Sequence, residues 1–317
     1  MKTRSDKWQV TGDKMTGVHQ TRSCHVSRVT CHLRAAFTLI EVMVVVVLLS
    51  LIVLALMAVF NSTQAAFRAS VTQAGVLESG RATMDLMAAD LRAMAPSHGQ
   101  SNNFTGAVNF LAGVTSYASP PSPLIQPMVG GSSTRTNVLE NFFILSRQNQ
   151  TWTGVGYAVN TSSSSALYPL YRFSMSASAA FSPWLLYSNF NIALGSGAWT
   201  NMSHLMDGVV ALTVRPYDVN GGLMTNHVTY SGGQYVTNEN VFYFLPALGQ
   251  VGFVMFSNTL PASVEIEMGV LEDRALQRAE SLPTPASQSN YLTGAASQVH
   301  VFRQRVAIPN VDPSAYQ

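Results

Sequence analysis

Glu41 places a carboxylate directly ahead of nineteen residues, Val42 to Phe60, that carry no charge and a single hydroxyl, Ser50. A carboxylate held beside that much apolar surface needs a cation or hydrogen-bond donors, because an unpaired buried charge costs several kcal/mol. Elsewhere the residues suited to acid–base or metal chemistry stand apart. His98, His204, His227 and His300 are scattered singly, which favours surface or hydrogen-bonded roles over ligation. Asp218-Val219-Asn220-Gly221-Gly222 begins like a calcium loop but lacks the later Glu at the required offset, so a hairpin turn is the better reading. Glu265 and Glu267 alternate along one apolar segment, with Glu272-Asp273 following, and read as the solvated face of a half-buried strand. No H-x-x-x-H pair, G-x-S-x-G elbow, Walker loop or dinucleotide fingerprint is present. The sequence therefore predicts no catalytic residue, no metal site and no cofactor, and the chain reads as a non-enzyme.

The element that must position Glu41 is the run behind it. As a helix, nineteen residues reach about 28 Å, close to the ~30 Å hydrocarbon thickness of a bilayer. Fourteen of them are Val, Leu, Ile or Phe, each favouring insertion by roughly 0.3–0.6 kcal/mol. Their sum, about 6 kcal/mol, exceeds the ~2.5–3.5 kcal/mol cost of one central carboxylate, so insertion is expected despite Glu41. Membrane lipid is thus a predicted partner.

Charge sets the orientation. Residues 1–36 hold seven Lys or Arg against Asp6 and Asp13, whereas the remainder holds eleven Arg, fourteen acids and no Lys. Positive charge before the span, and none after it until Arg68, predicts a single pass with the N-terminus in the cytoplasm. No basic patch with interleaved aromatics follows the span, so nucleic-acid binding has no electrostatic support. Cys24 and Cys31 both fall before the span, too widely spaced for C-x-x-C, and carry no disulfide prediction. Met15 offers a second start that would shorten this basic segment. A secretory signal fits poorly, since the apolar core is too long and no good small-x-small site follows Phe60.

The string Ala36-Phe37-Thr38-Leu39-Ile40-Glu41, running into VMVVVVLL, resembles the type III leader of prepilins and pseudopilins, whose consensus is Gly-Phe-Thr-Leu-Ile-Glu. The resemblance implies cleavage by a prepilin peptidase between Ala36 and Phe37, on the cytoplasmic face, so that the apolar helix is kept. It implies N-methylation of Phe37 and an assembly role for Glu41, paired with the freed amine of Phe37 on a neighbouring subunit. Ala36 stands where the family usually has Gly.

Helical signals persist beyond the span. Leu77, Gly80, Met84, Met87, Leu91 and Met94 recur at steps of three and four, and Phe67, Val71 and Ala74 begin the same stripe. No proline occurs from Phe37 to Ala95, and Pro96 marks the stop. One helix of about 59 residues, near 88 Å, is expected, with Gly75 and Gly80 as places for a bend. The stripe holds too few heptads for a free coiled coil, so packing on a sheet is expected. Ser97 to Thr136 reads as loops with one short strand or helix around Phe110. Strands are predicted at Val138–Ser146, Trp152–Asn160, Leu167–Ser174, Gly208–Tyr217, Val241–Leu245, Val251–Ser257, Ser263–Leu271 and Gln298–Ile308. Ser162–Ser165 and Gly221-Gly222 read as turns, and Ser281–Ser297 as a Ser/Pro/Gln loop.

Four of these segments sharpen the resemblance. ESGRATMDLMAADLRAM, with Asp90-Leu91-Arg92, is similar to the second half of the first helix in J-type minor pseudopilins of type II secretion and W-type minor pilins. GVGYAV…LYPLYRF resembles their paired strands ending in Leu-x-Arg, DGVVALTVRPYDVNGG their Val-x-x-Leu-x-Val strand, and LPASVEIEMGVLED their Leu-Pro-x-x-Val strand. The implied fold is α+β: a long N-terminal helix, half transmembrane, packed on an antiparallel β-sheet. The implied domains are a cleaved basic leader (1–36), the helix (37–96, transmembrane over 37–60) and an extracytoplasmic β-rich head (97–317). The implied function is a minor pilin or pseudopilin subunit near the filament tip, although the tip-most type lacks the acid found at Glu41. Its partners would be the peptidase, other pilin or pseudopilin subunits and an inner-membrane assembly platform, in a bacterial inner membrane and then a filament. A secretion pseudopilus, a type IV pilus and a DNA-uptake fibre all fit these residues. The alternatives are a signal-anchored extracytoplasmic binding module that is neither processed nor polymerised, and, last, a tethered hydrolase.

Overall fold

An unbroken apolar run followed by good helix formers, with no internal proline, should make one long helix, and α1 spans Leu39–Arg92. The computed structural model describes residues 38–97, 107–117, 124–128, 133–162, 167–178, 183–224, 229–231, 234–238, 241–244 and 252–312. The chain divides into two units, Met1–Phe60 and Asn61–Gln317, and α1 supplies residues to both. In the first unit every large apolar side chain from Leu39 to Phe60 stands open, between 47% and 78% exposed. Ser50 turns its hydroxyl back onto the Val47 carbonyl at 2.8 Å, so the run presents no unsatisfied donor. Among the described residues α1 is the one helix long and apolar enough to cross a membrane.

The second unit is α+β, built on a mostly antiparallel sheet. Its strands are β1 (Val108–Tyr117), β4 (Val138–Gln148), β5 (Thr151–Val159), β6 (Leu170–Ser178), β7 (Ser203–Met206), β8 (Val209–Tyr217), β9 (Thr229–Ser231), β10 (Gln234–Asn238), β11 (Val241–Phe244), β12 (Gly252–Phe256), β13 (Ser263–Leu271) and β14 (Val299–Ala307). The order is β14-β13-β8-β4-β1-β12-β11-β10-β9, with β5-β6-β7 branching from β4. β2 (Ile125–Pro127) and β3 (Thr134–Thr136) form a separate hairpin. β4 is the hub. β1 runs along one edge of it, while the other edge is shared: β5 pairs from Phe142 to Gln148, and β8 touches only at Leu139, in parallel. The sheet therefore forks at residues 140 and 141.

The alternation of β4 sorts the core into two layers. Phe142 and Ile144 join Met84, Met87, Leu91 and Met94 of α1, together with Ile266 and Met268 of β13. Phe143 and Leu145 point the other way and join Leu186 and Phe190 of α2 (Trp184–Gly195). Gly154 and Gly156 of β5 form the bed for α2, since a Cβ at Gly156 would lie 2.4 Å from the Phe190 ring.

The eight predicted strands are present, β13 with its expected ends. Several expectations need correction. The segment around Phe110 is a ten-residue strand at the centre of the sheet, because its apolar residues are buried between β4 and β12. Ser281–Ser297 is not loop throughout. Thr284 caps α4 (Pro285–Gly294), its hydroxyl accepting from Ser287 N while the Ser287 hydroxyl returns to the cap, with Pro285 in the first turn. Phe67 and Val71 are 69% and 55% exposed, and the buried face of α1 begins only at Val76, next to the expected stripe. Gly80 sits within continuous helix, and its missing Cβ admits the Phe302 ring of β14. α2 and α3 (Asp273–Glu280) were unassigned by sequence, both being short and set between strands.

Candidate functional site

At the start of α1, Thr38 is the first described residue and acts as the helix cap. Its carbonyl accepts from Glu41 N at 3.0 Å and Val42 N at 3.2 Å, and its hydroxyl lies 3.4 Å from Glu41 N. Thr three residues before Glu is the capping arrangement, and Glu41 occupies the first turn, where a negative charge suits the helix dipole. Glu41 is exposed and has no ion-pair partner among the described residues. Ala36 and Phe37 lie outside the described residues, as do Cys24, Cys31, His98 and His227.

A bidentate ion pair within the second unit joins two motifs that are far apart in sequence. Asp90 of α1 receives Arg172 of β6 through two bonds, Nε to Oδ2 at 2.8 Å and Nη2 to Oδ1 at 3.1 Å. The Tyr157 hydroxyl of β5 donates to the same Oδ2. Burial, and then Asp90, raise the Tyr157 phenol well above its ordinary range, and the Asp90 hydrogen bonds raise Arg172. Tyr157 is held from behind by Phe142, stacked at 4.7 Å. The result is a three-residue clamp fixing the end of α1 to β5 and β6. Asp90-Leu91-Arg92 and the Leu-x-Arg ending at Arg172 were visible separately in sequence, but only the fold brings Asp90 to Arg172.

Glu140 was not anticipated. It lies at the fork of β4, is 7% exposed, and accepts a hydrogen bond from Val214 N of β8, a backbone donor that the single β4–β8 bridge leaves over. Burial raises its carboxyl to about 7, against the opposing pull of the Val214 N–H and the Arg215 charge.

The acids of β13 are not a solvated face. Glu265 is 8% exposed and meets Arg303 at 2.8 Å and Arg215 at 3.6 Å, while Glu267 meets Arg135 of β3 at 3.2 Å. Arg303 and Arg215 on the flanking strands and Arg135 of the separate hairpin convert the row into ion pairs, so these acids are spent on pairing. His204 and His300 each pair with an acid, Asp207 at 2.8 Å and Glu272 at 3.0 Å, as hydrogen-bonded histidines. Asp218 closes a turn: its Oδ1 accepts from Asn220 N at 2.9 Å and Gly222 N at 2.7 Å, with Gly221 at φ +80°. That is the hairpin reading of this segment. No group of three metal-ligating side chains occurs among the described residues.

Comparison with known proteins adds one match. Residues 31–57 fit the family model of the prokaryotic N-terminal methylation motif. No curated protein and no solved structure matches the chain. The motif supports a type IV pilin-like protein, a class that is structural rather than catalytic. It implies processing by a prepilin peptidase and association with other pilin subunits. The apolar first segment of α1 is consistent with membrane anchoring.

Proposed function

We propose that the chain is a minor pilin or pseudopilin subunit, made with residues 1–36 as a basic leader that is cut off between Ala36 and Phe37 on the cytoplasmic face. The observation that carries this reading is the methylation motif over residues 31–57, running into a helix segment that buries none of its apolar window. Phe37 becomes the methylated terminus, residues 37–60 anchor the subunit in the inner membrane, and residues 97–317 form the extracytoplasmic head. The narrower J-type or W-type reading, with a place near the filament tip, is supported by the order of the strand motifs on β5–β6, β8 and β13.

Assembly then works by charge matching. Cleavage creates a cationic amine at Phe37, and Glu41 of the next subunit is a carboxylate at the same level of an apolar helix bundle. An unpaired carboxylate there costs roughly 2.5–3.5 kcal/mol, so a subunit seated in the wrong register is penalised. An assembly platform draws the waiting helix out of the membrane, and helix packing with the Glu41–amine pair holds it in place. Glu41→Ala is expected to leave membrane insertion intact while cutting co-purification with partner pilins at least tenfold.

Mass spectrometry of the membrane-extracted protein tests the processing step. The expected chain begins at methylated Phe37 and is absent from cells lacking prepilin peptidase. A stable product that retains residues 1–36 would instead support a signal-anchored binding module.

A further inference from the structure

The fork in the sheet leaves a cleft on the face that carries α2. β5 leaves β4 beyond Phe142, and β8 meets it at Leu139, so Asn141 has neither strand beside it. α2 ends at Gly195 and the chain turns away through Gly197 at φ +66°. The space between them, about 360 Å³, is lined by Asn141, Asn160, Thr161, Ser162, Asn191 and Trp199, among others.

Two of these amides carry hydrogen-bonding groups that no described residue satisfies. Asn141 and Asn160 are 5% and 6% exposed. Asn141 makes no side-chain hydrogen bond to any described residue. Asn160 uses its carbonyl oxygen to accept from Ser162 N at 2.9 Å and Ser162 Oγ at 2.8 Å, but its NH₂ has no partner among the described residues. Both line the cleft, so their free donors and acceptors are available to a ligand there.

The chemistry of the lining narrows the ligand. Among the described residues no acid or base lines the cleft, so a charged ligand would lose its hydration without gaining a counterion there. Asn141 can both donate and accept, and Asn160 keeps its NH₂ to donate, which matches a ligand whose own hydroxyls do both. Trp199, half-buried and tilted over Tyr171 at 5.2 Å, adds an aromatic wall for the apolar side of a ring. The volume lies at the small end of ligand pockets, room for a single ring. We propose that this cleft binds a neutral sugar residue, with Asn141 and Asn160 as its principal hydrogen-bonding groups.

The test uses the full chain in a sugar-free zwitterionic detergent. Saturation-transfer difference NMR and calorimetry are run against D-glucose, D-galactose, N-acetyl-D-glucosamine and a capped glycine amide. At least one sugar is expected to receive saturation, and Asn141→Leu and Asn160→Leu should each weaken its binding at least tenfold (~1.4 kcal/mol). Because Leu removes an unpartnered amide without opening a hole, Asn141→Leu should melt no lower than the parent chain. A purely structural Asn141 predicts the reverse, lost stability with no sugar effect. Absence of transfer to every sugar, preference for the glycine amide, or sugar binding that ignores both substitutions each overturns the assignment.

Discussion

Glu140 ties the stability of the second unit to pH through one proton. In the unfolded chain its carboxyl titrates near 4.5, and in the folded chain near 7. Between those values the folded chain holds a proton that the unfolded chain has released, so stability falls as pH rises through the window. The contribution is fully present below about 4.5 and amounts to a few kcal/mol. Thermal melts at about pH 5 and about pH 7.5 should show a drop for the parent chain that Glu140→Gln largely removes, since Gln keeps the neutral form at both. The Asp90–Arg172 clamp makes a second prediction at this scale. Asp90→Ala leaves a half-buried guanidinium and the Tyr157 hydroxyl without their acceptor, and should cost about 2–3 kcal/mol in urea unfolding. Arg172→Ala added to it should cost less than the sum of the two single changes, with a coupling of about 1 kcal/mol or more.

At the scale of elements, α1 and β14 meet through an absence. Gly80 faces the Phe302 ring so closely that a Cβ would lie 2.3 Å from its tip. In an open helix Gly→Ala gains about 1 kcal/mol. Here Gly80→Ala should instead destabilise by about 1–3 kcal/mol, because the half-buried ring packs against the core and has to be displaced. Phe302→Leu in the same chain should recover most of that loss, as read by chemical denaturation. The helix propensity scale alone predicts the opposite sign for the first substitution, so the pair separates packing from propensity.

For the whole molecule, the division at Phe60 has a mechanical meaning. Every large apolar side chain from Leu39 to Phe60 is exposed. A chain starting at Asn61 should therefore keep the melting behaviour of the full chain, while losing all tendency to sediment with membranes. The full chain should resist alkaline carbonate extraction. A truncated chain that melts much lower would mean that the apolar segment supports the fold rather than anchoring it.

The amino-acid order by itself determined what depends on local pattern. Period-two and period-3.6 hydrophobicity placed the eight strands and the long helix, and the FTLIE string with its apolar run carried the class of protein. These are properties of neighbours in the chain, so they survive without a fold. Tertiary structure alone decided which distant groups meet: Asp90 with Arg172, Gly80 with Phe302, Glu265 with Arg303. The centrality of β1, the helix in the 281–297 segment and the fork that buries Glu140 and Asn141 were hidden for the same reason. Each depends on which edge of β4 a remote strand occupies or on what a short helix packs against, and such choices are settled by burial across the whole sheet.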